Sequence, residues 1–175
     1  MPVMVVKLRL KVRVTEIRLP RADDLPELVE TARQAFETYR EWAPRGWDPP
    51  GTDLHELGLR GRMTERGSLC LVAEADGTVA GQVGVSPARD EPDTGHVWML
   101  FLREPWWGTG LATTLLDAAL DDARSRGMRR MRLQTPSEHA RARRFYEREG
   151  WTTDGEPTYE PMLGLVLMTY RRELS

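Results

Sequence analysis

One cysteine and three histidines among 175 residues leave little material for redox or metal chemistry. Cys70 alone cannot close an intramolecular disulfide or build a cysteine zinc site. His55, His96 and His139 are scattered, with no His-x-x-x-His pair, so no metal site is expected. An excess of one charge is also missing. Lys and Arg number 25 against 27 Asp and Glu, a net charge of −2, so no global field favours nucleic acid or an anionic membrane. No apolar run is long enough to span a bilayer. The opening stretch MPVMVVKLRLKVRV comes nearest, but Lys7, Arg9, Lys11 and Arg13 alternate with Leu8, Leu10, Val12 and Val14. That period of two belongs to a strand and lacks the unbroken apolar centre of a signal peptide. The expectation is a cytoplasmic protein with no metal and no nucleic-acid or membrane partner.

What is present reads as one globular domain over 1–175, with 1–11 as an N-terminal strand or extension. The chain is 40% hydrophobic and 30% charged, in the ordinary range, and long enough to bury a core. Val12–Leu19 reads as a strand. Leu25, Leu28, Val29, Ala32, Phe36 and Tyr39 recur at helical spacing over 23–39, and a second helix is expected over 53–64. SLCLVAEADGTVAGQVGVSP is two strands around an Asp76-Gly77 turn. HVWMLFL (96–102) is apolar throughout and therefore central. Leu111, Leu115, Leu116, Ala119, Leu120 and Ala123 form a helical stripe that stops near Gly127. A strand ending in RLQTP and a helix in SEHARARRFYEREG come next, then strands over 151–159 and 163–171. The fold class is mixed α/β: a central mixed sheet of six to seven strands flanked by about four helices. Only the step from 96–102 through a helix to 131–136 looks like a parallel crossover.

The segment EPWWGTGLATTLL (104–116) joins that central strand to that helix. The first turn of a helix leaves backbone N–H groups without partners, and the helix dipole adds partial positive charge. Glycines remove the Cβ atoms that would hold a phosphate away. A tight connection with nothing bound stays open at this point. A dinucleotide fingerprint would need a third glycine where Thr113 stands, and a Walker loop would need Gly-Lys-Ser/Thr; neither is present. What remains is a pyrophosphate held by backbone amides.

LREPWWGTGLATTLL resembles the acyl-CoA loop of the GNAT superfamily of N-acyltransferases, Arg/Gln-x-x-Gly-x-Gly/Ala, with Trp107, Gly108, Thr109, Gly110, Leu111 and Ala112 filling the pattern. SEHARARRFYEREGW is similar to that family's Asn-x-x-Ala-x-x-x-Tyr-Glu-x-x-Gly-Phe segment at matching distance. The resemblance covers about residues 12–171, including element order. It implies acetyl-CoA as acyl donor, an amine as acceptor, and pyrophosphate binding at Trp107–Ala112 and Thr113. Leu100, Phe101 and Leu102 would pair their main chain with the pantetheine arm. Arg141, Arg143 and Arg144 are candidates for the cofactor's 3′-phosphate, with a solvated basic face as the alternative. Three departures stand out. Trp107 occupies the Arg/Gln position, its ring walling the loop or covering the cofactor. His139 replaces the pantetheine-contacting Asn. Gln134 stands where the branch acting on ribosomal-protein termini carries a Glu, which disfavours that branch. The resemblance leaves a homodimer open.

Acetyl transfer to an amine needs a neutral nucleophile, a stabilised oxyanion and a proton for the leaving thiolate. A free alkylamine has a pKa near ~10.4, so neutrality at pH 7 costs roughly 4–5 kcal/mol unless the site lowers it. Tyr146, placed beside the cofactor sulfur by the resemblance, is the expected acid. Its phenol, at ~10, is within about 1.5 units of a thiol at ~8.5. His96 is the nominated base, acting through water or on an amine of depressed pKa, with Glu104, Asp93 and Glu91 in reserve. Alternation puts His96, Trp98, Leu100 and Leu102 on one face. Tyr39, Trp42 and Trp47, with Asp48, are expected to wall the acceptor site. The leading reading is an N-acetyltransferase of a small-molecule amine. A protein or peptide amine, or a catalytically silent acyl-CoA-binding module, are the alternatives.

Overall fold

The structure, a computed structural model, describes residues 16–175. The expected N-terminal extension and the first part of the 12–19 strand therefore lie outside the described residues. Eight strands form one sheet: β1 (Glu16–Arg18), β2 (Leu69–Ala75), β3 (Thr78–Pro87), β4 (Thr94–Leu102), β5 (Arg130–Pro136), β6 (Thr152–Thr153), β7 (Thr158–Glu160) and β8 (Leu165–Glu173). Their order is β1-β2-β3-β4-β5-β8-β6, with β7 also on β8. Four α-helices flank it: α1 (Leu25–Glu37), α2 (Thr52–Thr64), α3 (Leu111–Ser125) and α4 (Ala140–Arg148). The mixed sheet, the four helices and the single parallel pair, β4 with β5, match the expectation. The strand count is eight rather than six to seven because 151–159 splits. Gly155, with φ +77, followed by Pro157, breaks pairing between β6 and β7.

Periodicity explains the layers. The α3 stripe Leu111, Leu115, Leu116, Ala119, Leu120 and Ala123 is buried in full against Val83, Val97, Met131 and Leu133. Each buried leucine there contributes about 2 kcal/mol. Ala142, Phe145 and Tyr146 bring α4 to the same face. On the opposite face Leu28 of α1 and Leu59 of α2 close over Val72, Val79 and Met99.

One irregularity organises the molecule. Val83, Gly84 and Val85 pair with Leu100, Met99 and Val97, so Trp98 is an extra residue on β4. Its indole lies flat on Gly84, where a Cβ would fall 2.3 Å from the ring. The bulge reverses the alternation. His96 points away from Val97, and Trp98, Met99 and Phe101 follow it toward α1 and α2. Val97, Leu100 and Leu102 pack toward α3. The expected common face of His96, Trp98, Leu100 and Leu102 is therefore wrong for its last two members.

Candidate active site

Past the bulge, β4 and β5 part. Their parallel ladder runs only from Thr94–Arg130 to Val97–Leu133, whereas β5 stays paired with β8 as far as Pro136. Between the diverging strands lies a cavity of about 430 Å³. Its walls come from Trp98–Leu102, Gln134–Pro136, the starts of α3 and α4, and Phe36 and Tyr39 at the end of α1.

The glycine turn stands at one mouth. Gly108 and Gly110 adopt φ +70 and +90, conformations that side-chain-bearing residues avoid, and Gly110 caps α3 with no side-chain hydrogen bond. The Leu111 N–H reaches Thr109 Oγ1 at a long 3.4 Å, and that hydroxyl itself donates to the Trp106 carbonyl at 2.7 Å. The start of α3 is left open to an anion. Gly108, Gly110, Ala112 and Thr113 line the cavity; Thr109 is exposed, and Leu111 turns its side chain into the core.

Trp107 is held on both sides. Its indole N–H donates to the Leu102 carbonyl at 3.0 Å, and the Arg141 guanidinium stacks 3.4 Å from its ring centroid. Arg141 comes from the first turn of α4, so this stack brings a cation to the glycine turn from the neighbouring helix. No carboxylate pairs with Arg141 among the described residues, and burial lowers its pKa. Arg144 also lines the cavity, whereas Arg143 is occupied with the Tyr170 hydroxyl and the Ser137 carbonyl. Trp106 packs against the core beside α3.

Tyr146 lines the cavity from α4 and is 8% exposed. Burial pushes its phenol well above the usual tyrosine range, and Tyr39 adds to the effect. His139, at the start of α4, meets Tyr39 edge-on at 5.0 Å and Trp42 at 5.1 Å. Burial and then Arg141 push its pKa down to about 4, so the ring is neutral at pH 7. Leu100, Phe101 and Leu102 line the cavity as expected. Of the aromatic acceptor wall, only Tyr39 does. Trp42 packs behind it at 4.7 Å, and Trp47 behind it at 6.1 Å with its indole donating to the Leu163 carbonyl at 2.7 Å. Asp48 pairs with Arg40 on the surface.

His96 is elsewhere. It lines a second cavity of about 720 Å³, on the α2 face, that meets the first at Gln134. Burial, then Arg132 and Arg62, push its pKa down to about 4. Among the reserve bases, Glu91 is tied to Arg132 and Arg171, and neither Asp93 nor Glu104 lines the first cavity. Sequence reasoning missed Trp98 and Phe36 as lining residues. The signal for Trp98 was Gly84 in the interior of β3, a sign of close approach.

The starts of α3 and α4 thus face the gap where the neighbouring parallel strands part. The sequence profile of the acetyltransferase (GNAT) family matches residues 30–151, so the chain belongs to that family. A mycothiol acetyltransferase from Beutenbergia cavernae is 42% identical over 59 residues, 34% of this chain and 20% of that protein. The chain thus matches only about a fifth of that relative's length. YhfO, an uncharacterized N-acetyltransferase from Bacillus subtilis, is 29% identical over 122 residues, 68% of this chain and 80% of its own. Among solved structures, yncA from Salmonella typhimurium, determined with its cofactor acetyl-CoA, aligns with a TM-score of 0.70 at 23% identity. That alignment covers 93% of this chain and 95% of the other.

Proposed function

We propose that this protein moves an acetyl group from acetyl-CoA to the primary amine of a small molecule. The observation that carries the reading is the cavity itself, with a glycine turn at one mouth and Tyr146 in its wall. The residues fit the donor. The open start of α3 suits a diphosphate, and the unpaired Arg141 guanidinium suits a phosphate beside it. The β4 edge left free past Val97 suits an extended amide-bearing arm. Acetyl-CoA, when bound, supplies an acyl group activated as a thioester.

Tyr146 acts as the acid. Its raised pKa keeps it protonated at rest, so it enters the step as a proton donor. Donating that proton, rather than holding an ion pair, is the chemistry such a buried phenol can perform. His96 is a poor base, since a ring with a pKa of about 4 sits some six units below an alkylamine near ~10.4. The Phe36, Tyr39, Met99 and Phe101 walls instead favour entry of the neutral amine, because low polarity penalises the ammonium form. The cavity's size, about 430 Å³, favours a small acceptor over a folded protein surface.

Acetyl-CoA at about 100 times its Kd should stabilise the protein by ~2.7 kcal/mol, a Tm rise on the order of 5–10 °C. No shift at millimolar concentration would remove the donor. Tyr146→Phe should keep that shift while lowering kcat by roughly 10²–10⁴. Unchanged turnover would clear Tyr146 of the acid role.

A further inference from the structure

The second cavity distributes its charge unevenly: four guanidinium groups face four carboxylates, but not wall by wall. On its β5–β8 wall, two guanidinium groups are matched by three carboxylates: Arg132 holds Asp90 and Glu91, and Arg171 holds Glu91 and Asp154. On its α2 wall, Arg62 and Arg89 share a single carboxylate, Glu65, among the described residues. Arg89 takes the better geometry, with bonds of 2.9 and 3.1 Å to one Glu65 oxygen. Arg62 is left with a 3.2 Å bond to the other oxygen and a 3.2 Å bond to Ser86 Oγ. One positive charge on this wall is uncompensated.

Two further groups converge there. Ser86 is fully buried and is the cross-strand partner of His96. His96 Nδ1 is buried without a hydrogen-bond partner. A neutral imidazole can place its proton on either nitrogen, so Nδ1 can donate to an anion brought beside it. A buried polar atom left without a partner is unfavourable, and a ligand oxygen would supply the missing bond. A half-exposed arginine, a buried serine hydroxyl and an unmatched imidazole nitrogen around one polar space form the composition of an anion-binding corner.

The corner neighbours the transfer cavity. Gln134 lines both spaces, and the Arg62 guanidinium lies 5.9 Å from the ring of Trp98, which lines the first. We infer that Arg62, with Ser86 and His96, holds an acidic group of the acceptor while its amine occupies the transfer cavity. The acceptor is thus an amine that carries a carboxylate or a phosphate ester. From His96 to the Trp98–Met99 pair is two to three strand residues, about 7–10 Å at ~3.3 Å per residue. The acid and the amine are separated by that span, as in an ω-amino acid of medium length. This inference rests on the acetyltransferase reading above and names the substrate class of the same site.

Product analogues test it without turnover. N-acetyl-6-aminohexanoate, N-acetyl-5-aminopentyl phosphate and neutral N-hexylacetamide are titrated calorimetrically into the protein saturated with CoA. At least one acidic probe should bind tenfold or more tightly than the neutral one, and the stronger of the two identifies the group. Arg62→Gln should reduce that preference to within twofold, and Arg62→Lys should keep part of it. CoA affinity unchanged in both variants shows that the fold is intact. Equal or weaker binding of both acidic probes, or a preference that survives Arg62→Gln, overturns the inference. A protein that prefers the acidic probes yet releases no thiol with any amine retains the anion corner and loses the acetyltransferase reading.

Discussion

Replacing Gly84 by alanine tests whether the bulge on β4 creates the site. An added Cβ would lie 2.3, 2.4 and 2.7 Å from three atoms of the Trp98 indole. Ordinary carbon contacts begin near ~3.5 Å, so the ring must retreat by about 1 Å. It has little room: Met99 follows it in the chain, and Arg62 covers its other side at 5.9 Å. Overpacking of this kind costs about 1–3 kcal/mol. For a chain of this size that lowers Tm by roughly 3–10 °C. The functional loss should be larger than the stability loss, because Trp98 is the residue whose insertion parts β4 from β5. Turnover measured well below the new Tm should fall at least tenfold. Trp98→Leu removes the obstructed ring, so the double variant should recover stability relative to the sum of the single changes, with a coupling of about 1 kcal/mol or more. Gly84→Ala within 0.5 kcal/mol of the parent by roughly the usual surface-substitution range, or strict additivity with Trp98→Leu, would refute the account.

Arg141→Ala removes the cation stacked on Trp107 and should weaken acetyl-CoA binding about 10–100-fold in a calorimetric titration, with kcat at saturation little changed; an unaltered Kd would exclude Arg141 from the phosphate site. The histidines predict a pH dependence of stability. Their native pKa values are depressed to about 4 for His96 and His139, against ~6.5 unfolded, so the unfolded chain binds more protons in that window. Stability is therefore full above about pH 6.5 and falls as pH drops toward 4, by on the order of 3 kcal/mol per ring. Tm between pH 4.5 and 7.5 should show this, and His139→Gln should remove part of the slope; an identical slope in that variant would count against it. Asp24 is held below its ordinary range by the Arg18 guanidinium, in a pair whose side chains are each 10% exposed. Asp24→Asn should cost about 3 kcal/mol at pH 7. Because the stabilisation is present above the unfolded pKa of ~3.9 and lost as pH falls below it, the difference from the parent should shrink toward pH 2.

Much of the fold could be read from local pattern. The α3 stripe is buried residue for residue, and the Asp76-Gly77 turn closes the β2–β3 hairpin with positive φ at both positions. The parallel crossover and the glycine turn were legible for the same reason: each is written within one continuous stretch, Thr94 to Pro136 at the longest. The bulge was not, because alternation assumes an unbroken period of two and Trp98 breaks it. That one residue accounts for the misassigned face of Leu100 and Leu102. His96, ahead of the bulge, lies in the second cavity, whereas α4 brings Tyr146 to the first. Trp42 and Trp47 were chosen by type as wall residues. Their place behind Tyr39 depends on Leu163, Leu165 and Leu167, more than a hundred positions away, and no local signal carries that.

The Trp47 indole bond to the Leu163 carbonyl spans 116 positions of chain. It stitches the loop after α1 to the turn before β8, so the two segments inherit one another's mistakes. Losing the Trp47 donor leaves the Leu163 carbonyl unmatched, so substitutions in the two segments should act on stability as a coupled pair rather than independently.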